Sequence, residues 1–114
     1  MGYIDGFVAA VPTANKAAFI EHARTVDALF IEFGARRVVE GWGEDVPAGK
    51  VTDFARAVQA TGDETVVFSW IEWPDKATRD VGMQRMMTDE RMNGPMPFDG
   101  KRMFWGGFRP ILDA

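Results

Sequence analysis

Apolar and polar positions alternate or recur with regular periods along most of the chain. Residues 3–11 are rich in aliphatic and aromatic types, which predicts a strand. Apolar side chains then recur at spacings of three and four residues from Phe19 to Phe33, which predicts one face of an amphipathic helix. We expect this helix to begin after an N-cap at Thr13 and to end at Gly34.

The remaining segments also have strand-like or helix-like patterns. Three more strands are predicted, at 36–44, 64–73 and 101–109. A second long helix is predicted at 76–88. Residues 52–59 predict a short helix, with an extended strand as the alternative. Prolines and glycines indicate a loop at 92–100. Gly106 and Gly107 indicate a bulge or a close approach within the last strand.

The order strand, helix, strand, strand, helix, strand predicts one α+β domain spanning residues 1–114. Right-handed crossovers place both helices on the same face of a four-stranded antiparallel sheet, which is the ferredoxin-like βαββαβ arrangement. The first and third strands are the most apolar, so we expect them at the centre of the sheet. The other two strands carry glycine, charge and proline, which suits the edges.

The third predicted strand has two apolar faces. Alternate side chains give one face made of Val67, Ser69, Ile71 and Trp73, and another made of Val66, Phe68, Trp70 and Glu72. Two helices cover only one face, so the other needs a second layer. A second copy of the chain is the simplest supplier, and we expect a homodimer through the open face of the sheet. The alternative is a monomer whose loops at 45–63 and 92–100 cover that face.

Composition narrows the chemistry that the chain can perform. Hydrophobic residues make up 46% of the sequence, which suits a folded domain, and a net charge of −4 does not favour nucleic-acid binding. With no cysteine and one histidine, thiol catalysis and multi-histidine metal sites are excluded. The sequence has no membrane-length apolar run and no signal peptide, so a cytoplasmic protein without metal or cofactor is expected.

Three acids within predicted strands are the candidate catalytic residues: Asp5, Glu40 and Glu72. Each is in phase with aromatic neighbours, and the loss of solvation beside them raises the pKa of a carboxyl group toward neutrality. Such a group can act as a general acid or base. The alternative is that each acid pairs with an arginine or lysine, or remains solvated at a strand end.

The aromatic residues suggest a ligand pocket. Trp42 and Trp70, together with Arg102, are the candidate pocket residues, and the competing role for the tryptophans is anchoring a dimer interface. His22 borders the apolar stripe of the first helix, where a partly buried or surface histidine is expected rather than a base or haem ligand. The methionines at 83, 86, 87, 92 and 96 are expected to fill core space, with the lining of a soft ligand pocket as the alternative.

Four segments resemble a known family. They are YIDGFVAAVP (3–12), FGARRVVEGWGEDVPAGKVTDF (33–54), VVFSWIEWP (66–74) and MPFDGKRMFWGGF (96–108). They are similar to the YbaA-like bacterial family of unknown function (domain of unknown function 1428). That family is similar in fold to the dimeric α/β-barrel superfamily, so the resemblance implies a homodimer in which two sheets meet face to face. It implies no activity, because fold does not transmit function.

Two hypotheses about function follow. The first is a cofactor-independent enzyme, monooxygenase-like or isomerase-like, that acts on a small aromatic or conjugated molecule in the barrel cavity. One of the strand acids would move a proton and the tryptophans would hold the ring. The alternative is a dimer without catalytic activity, which binds a small ligand or serves as a structural or interaction domain.

Overall fold

The computed structural model describes residues 2–114 and contains one sheet. Its strands are β1 (Tyr3–Pro12), β2 (Arg37–Trp42), β3 (Glu64–Trp73) and β4 (Phe104–Phe108). They pair antiparallel in the order β2-β3-β1-β4. The two strands with the most apolar sequences, β1 and β3, are therefore central, as predicted, and β2 and β4 form the edges.

Three helices connect the strands: α1 (Lys16–Glu32), α2 (Phe54–Ala57) and α3 (Lys76–Thr88). The α+β class is confirmed, with α1 and α3 packed on one face of the sheet. The short helix predicted at 52–59 is α2, whose N-cap Asp53 accepts a hydrogen bond from the Arg56 amide at 2.7 Å. Asp75 caps α3 in the same way, accepting from the Thr78 amide at 2.7 Å. None of the helices within residues 2–114 is long and apolar enough to cross a bilayer.

The start of the first helix differs from the prediction. Thr13 does not cap it; residues Thr13–Asn15 form a 3-10 turn and α1 begins at Lys16 without a side-chain cap. The Thr13 amide instead donates to the Asp63 carbonyl at 2.9 Å, and its hydroxyl bonds to the Thr65 hydroxyl at 2.7 Å. Thr13 therefore continues the pairing of β1 with β3, and that pairing occupies the side chain that would otherwise cap the helix.

The other end of α1 agrees with the prediction. Gly34 has a φ of 114°, a conformation that glycine adopts without strain. The chain then turns back, and the Ala35 amide donates to the Phe30 carbonyl at 2.9 Å. The close approach predicted at the paired glycines of the last strand is also present, because a Cβ on Gly107 would lie 2.6 Å from the Arg79 guanidinium.

Strand register assigns each side chain to one of two faces. The helix face carries the odd-numbered residues of β1 and β3, and the even-numbered residues of β2. Its main core packs Trp73 and Ile71 against Phe30 of α1 and Met86 of α3. A second cluster joins the start of α1 to the sheet and consists of Val11, Phe19, Ala23 and Val67.

The opposite face, which we call the open face, carries the even-numbered residues of β1 and β3. One end of it is covered, because Val58, just after α2, packs against Val8 and Val66. Toward β4 it remains open, and Phe104 and Phe108 are 46% and 63% exposed. The domain is only 20 Å thick in its shortest dimension, against 38 and 36 Å in the others.

Candidate functional site

A cavity of about 140 Å³ lies between the helix face of the sheet and α1. The floor includes Phe7 of β1, Val38 of β2 and Ile71 of β3, and the wall includes Val26 and Phe30 of α1. The lining is predominantly apolar, as is usual for a small-molecule site. A dry apolar cavity of about 150 Å³ is large enough to hold benzene. The cavity is therefore the size of one six-membered ring.

The cavity is covered by residues 89–98, which we call the strap. The strap follows the length of α1, because Arg91 donates to Glu32 at 2.7 Å at one end and the Pro97 carbonyl accepts from the Asn15 amide group at 3.0 Å at the other. The strap residues that line the cavity are Met92, Met96 and Phe98. Two of the predicted core-filling methionines thus border a cavity, whereas Met86 lies in the core as expected.

Two carboxyl groups meet at this cavity, Asp27 of α1 and Glu40 of β2. Burial, together with the hydrogen bond and the negative charge of Glu40, raises the pKa of Asp27 to about 8. A hydrogen bond between two carboxyl groups requires a proton on one of them. The pair therefore holds one proton near neutral pH.

His22 is the remaining titratable residue that lines the cavity. Its ring packs edge-on against Phe98 with a centroid separation of 6.0 Å. Burial lowers the pKa of His22, and the charge of Glu40 only partly opposes that effect. The imidazole is therefore neutral at neutral pH, and it does not supply a cation to the two carboxyl groups.

Asp5 shares the helix face with Glu40 but lies outside the cavity lining. Its side chain is 0% exposed and accepts hydrogen bonds from the Trp73 indole at 2.9 Å and from the Arg79 guanidinium at 2.8 and 3.0 Å. These bonds also raise the pKa of Arg79. The ion pair with Arg79 and the hydrogen bond from Trp73 indicate a structural role for Asp5. Pairing with a basic residue was the alternative to catalysis that the sequence analysis gave for this acid.

Glu72 and Trp70 lie together on the open face, away from Asp5 and Glu40. The Trp70 indole donates to Glu72 at 2.9 Å, and Arg37 of the neighbouring strand approaches the same carboxylate at 3.5 Å. The separation follows from strand parity, since even-numbered residues of β3 point away from α1. The three predicted strand acids are therefore not brought together.

Trp42 lies on the helix face, next to the cavity. Its ring packs against Phe19 with a centroid separation of 6.3 Å, and the Lys16 ammonium lies 5.4 Å above it. The residue is thus part of the packing at the start of α1, and it is not among the residues that line the cavity.

Arg102 is engaged by carboxylates of the chain itself. It donates to Glu64 at 2.6 Å and to Asp99 at 3.0 Å, and also to the Gln59 carbonyl at 2.9 Å. The hydrogen bonds from Arg102 lower the pKa of Glu64 to about 2. These contacts tie the turn before β4 to the start of β3. Arg102 does not line the cavity, although Met103 beside it does.

Sequence reasoning missed Asp27. A signal for it was present, because Asp27 lies four residues after Ala23 and three before Phe30, at the border of the apolar stripe of α1. A carboxyl group at that border lies between the sheet and water, and Asp27 is half-buried there. Its partner Glu40 was identified, but their pairing depends on how α1 lies over β2, which the sequence pattern does not contain.

No cluster of three or more histidine, aspartate or glutamate side chains among residues 2–114 is arranged to hold a metal ion. The chemistry that the cavity itself offers is proton transfer by two carboxyl groups beside an apolar, ring-lined space.

Comparison with known proteins identifies related chains. The model of a family described as "Protein of unknown function (DUF1428)" matches residues 2–100. Proteins named "Uncharacterized protein YbaA" from Escherichia coli K12, Escherichia coli O157:H7 and Shigella flexneri are each 57% identical over 116 aligned residues, which cover 99% of this chain and 99% of the relative. The similarity is thus continuous from end to end, and none of these names assigns an activity.

Proposed function

Because this chain belongs to the DUF1428 family of proteins of unknown function, we propose an activity from the site itself: it binds a small ring compound between the sheet and α1 and moves a proton on it with Asp27 and Glu40. The observation that carries this proposal is the meeting of two carboxyl groups at one apolar cavity. The residues that line the cavity include no arginine or lysine that could pair with either carboxyl group.

The size and lining of the cavity define the ligand class. A volume of about 140 Å³ accommodates one six-membered ring and few substituents. Phe7, Phe30 and Phe98 provide flat apolar surface, which favours a planar, conjugated ring. The thioethers of Met92 and Met96 adapt to small differences in ligand shape.

The carboxyl pair supports an isomerisation of a carbonyl compound. The Glu40 carboxylate removes a proton from a carbon next to the carbonyl group, and the electron pair of that C–H bond forms a C=C bond. The carbonyl oxygen takes the proton of the Asp27 carboxyl, which gives an enol. Where the ring also carries a β,γ double bond, Glu40 returns its proton to the γ carbon, the C=C bonds shift into conjugation with the carbonyl group, and the enol hydroxyl gives its proton back to Asp27 as the C=O bond re-forms. Of the two enzyme classes expected from the sequence, this chemistry favours the isomerase-like one, since an acid and a base suffice for it.

Exchange of hydrogen for deuterium in D₂O tests this proposal. With 2-cyclohexenone as the probe, the protein is expected to accelerate loss of the proton signals next to the carbonyl above the rate in buffer. Asp27→Asn and Glu40→Gln should each reduce that acceleration by roughly 100-fold. Glu21→Gln is the matched control, because Glu21 is a 75% exposed carboxylate on the same helix.

Two other results would contradict catalysis. Binding of the probe without any acceleration of exchange would favour the alternative, a ligand-binding protein without catalytic activity. A chemical-shift titration that detects no binding of the enone or of other single-ring compounds would leave a structural or interaction role.

We also propose that the open face packs against the same face of a second copy. Phe68, Phe104 and Phe108 are each more than 40% exposed there, and the domain has the thickness of one sheet and one helix layer. The sheet presents roughly 500 Å² per copy from its strand spacing and length. Two copies thus bury about 1,000 Å², the lower bound for a specific interface.

Light scattering in solution tests the dimer. The expected species has twice the monomer mass of 12.7 kDa, and Phe108→Glu should convert it to the monomer by placing a charge in the interface. Ile20→Glu, at a 43% exposed position on α1, is the matched control and should stay dimeric. A wild-type protein of monomer mass would contradict this proposal without affecting the one for the cavity.

A further inference from the structure

Ser69 is a polar residue on the apolar floor of the cavity. It lies in the middle of β3 between Val67 and Ile71, both of which are 1% exposed. Ser69 itself is only 9% exposed, and it lines the cavity. A serine at the centre of a buried strand face is unusual, because that position normally carries an aliphatic side chain.

The Ser69 hydroxyl has no hydrogen-bond partner among residues 2–114. Buried hydroxyl groups are generally bonded, since burial without a partner costs free energy. Among residues 2–114, every fully buried side-chain oxygen or nitrogen atom has a hydrogen-bond partner. The unbonded Ser69 hydroxyl is therefore accessible from the cavity that it lines.

Strand register places this hydroxyl next to the carboxyl pair. Ser69 lies directly opposite Glu40 of β2 and Phe7 of β1, and all three side chains are on the helix face. Residues directly opposite each other in an antiparallel pair have Cβ atoms about 5 Å apart. A ligand atom above Ser69 is thus within reach of both the hydroxyl and the carboxyl groups.

We propose that Ser69 is a substrate-contacting residue, whose hydroxyl donates a hydrogen bond to the carbonyl oxygen of a cyclic ketone or enone. This inference rests on the proposed function and adds the class of substrate to it. As Glu40 removes the proton from carbon, negative charge develops on the carbonyl oxygen, which has two lone pairs. Ser69 donates to one of them while Asp27 delivers its proton to the other. No bond of Ser69 is made or broken.

A pair of ligands of equal size and different polarity tests the contact. The probes are 2-cyclohexenone and 3-methylenecyclohexene, which differ in carrying C=O or C=CH₂ on the same ring. Dissociation constants from chemical-shift titration should favour the enone by about 10-fold in the wild-type protein. In Ser69→Ala that preference should fall below about 2-fold, with the affinity for the hydrocarbon unchanged.

Two further variants separate a contact from a packing effect. Ser69→Thr keeps a hydroxyl group and should retain the preference for the enone. Thr65→Val is the matched control, because Thr65 is on the same strand and its hydroxyl bonds to Thr13 outside the cavity. It should leave both dissociation constants unchanged. In the deuterium exchange assay Ser69→Ala should lower the rate by about 10- to 100-fold.

The results distinguish this inference from the function on which it rests. If both probes bind and Ser69→Ala keeps the wild-type preference, the inference is wrong, because the hydroxyl then makes no contact with the carbonyl oxygen. If neither probe binds the wild-type protein, the proposed function fails and the inference fails with it. Thermal unfolding of Ser69→Ala close to that of the wild type ensures that a loss of preference reports on the contact.

Discussion

The two faces of the sheet differ in where they keep polar groups. The helix face carries Asp5, Glu40 and Ser69 within or beside the packing of α1, α3 and the strap. The open face is mostly apolar over β1 and β4. Its charged strand residues lie where β2 pairs with β3, at Arg37 and Glu72, and at the start of β3, at Glu64. On the helix face, Asp5 is matched to donors of the same chain and Ser69 lines the cavity. The exposed apolar side chains of the open face fit the proposed contact with a second copy, because an interface gains most from apolar contact.

A second comparison, within the helix face, concerns two carboxyl groups. Asp5 receives hydrogen bonds from Arg79 and Trp73, whereas Asp27 faces another acid, Glu40. The first arrangement pairs a buried acid with a cation, and the second favours the protonated form of Asp27. Burial alone therefore does not identify a reactive acid; the charge of its neighbour decides which role the acid has.

The largest expected effect comes from breaking the Asp5 pair. Arg79→Ala leaves a carboxylate that is 0% exposed without its cation, which should lower the free energy of unfolding by about 3–5 kcal/mol. Urea denaturation measures the change. Arg24→Ala is the control, since the side chain of Arg24 is 72% exposed and its removal should have little effect. A loss for Arg79→Ala no larger than that of the control would contradict a structural role for Asp5.

Glycine substitutions compare the packing of the two faces directly. A Cβ at Gly82 of α3 would lie 2.6 Å from the Trp73 ring and 2.9 Å from the Phe33 carbonyl, so Gly82→Ala should cost about 1–3 kcal/mol of unfolding free energy. At Gly6, on the open face, nothing lies within 4 Å of the added Cβ. Gly6→Ala should therefore fold with nearly unchanged stability. Equal losses in the two variants, measured by urea denaturation, would show that the faces are packed alike.

The smallest expected effect is the pH dependence of stability that Asp27 contributes. The pKa of Asp27 is about 8 in the folded protein and 3.8 for an ordinary aspartate, so its contribution to stability is fully present below pH 4 and is lost as the pH rises toward 8. Asp27→Asn should remove that dependence, a difference on the order of 1 kcal/mol because the site is partly solvated.

Subtracting the two pH profiles removes the contribution of His22 and leaves that of the hydrogen-bonded Asp27–Glu40 pair, which titrates as a unit. Burial lowers the pKa of His22, so its contribution to stability has the opposite slope and cancels in the difference. Urea midpoints between pH 5 and 8 provide the measurement. Parallel profiles for the wild type and Asp27→Asn would show that Asp27 is ionised throughout.

Local features were predictable where the physical cause is local. The end of α1 at Gly34 and the short helix at 52–59 depend on a few neighbouring residues, and both were predicted. The prediction of Thr13 as an N-cap was wrong because its cause is not local: the Thr13 hydroxyl bonds to Thr65, which is distant in sequence. Of the two acids that line the cavity, the sequence analysis named Glu40 as a candidate and did not name Asp27.

By itself, the sequence determined the α+β class, the central strands and which residues of each strand share a face, because alternation and helical periodicity are properties of short segments. Only the tertiary structure decided that Asp27 faces Glu40, that Ser69 lies opposite Glu40, and that the strap covers the cavity. These relations depend on strand register, on the position of α1 over the sheet and on the path of a loop. Each of those is set by packing between segments that are distant in the chain.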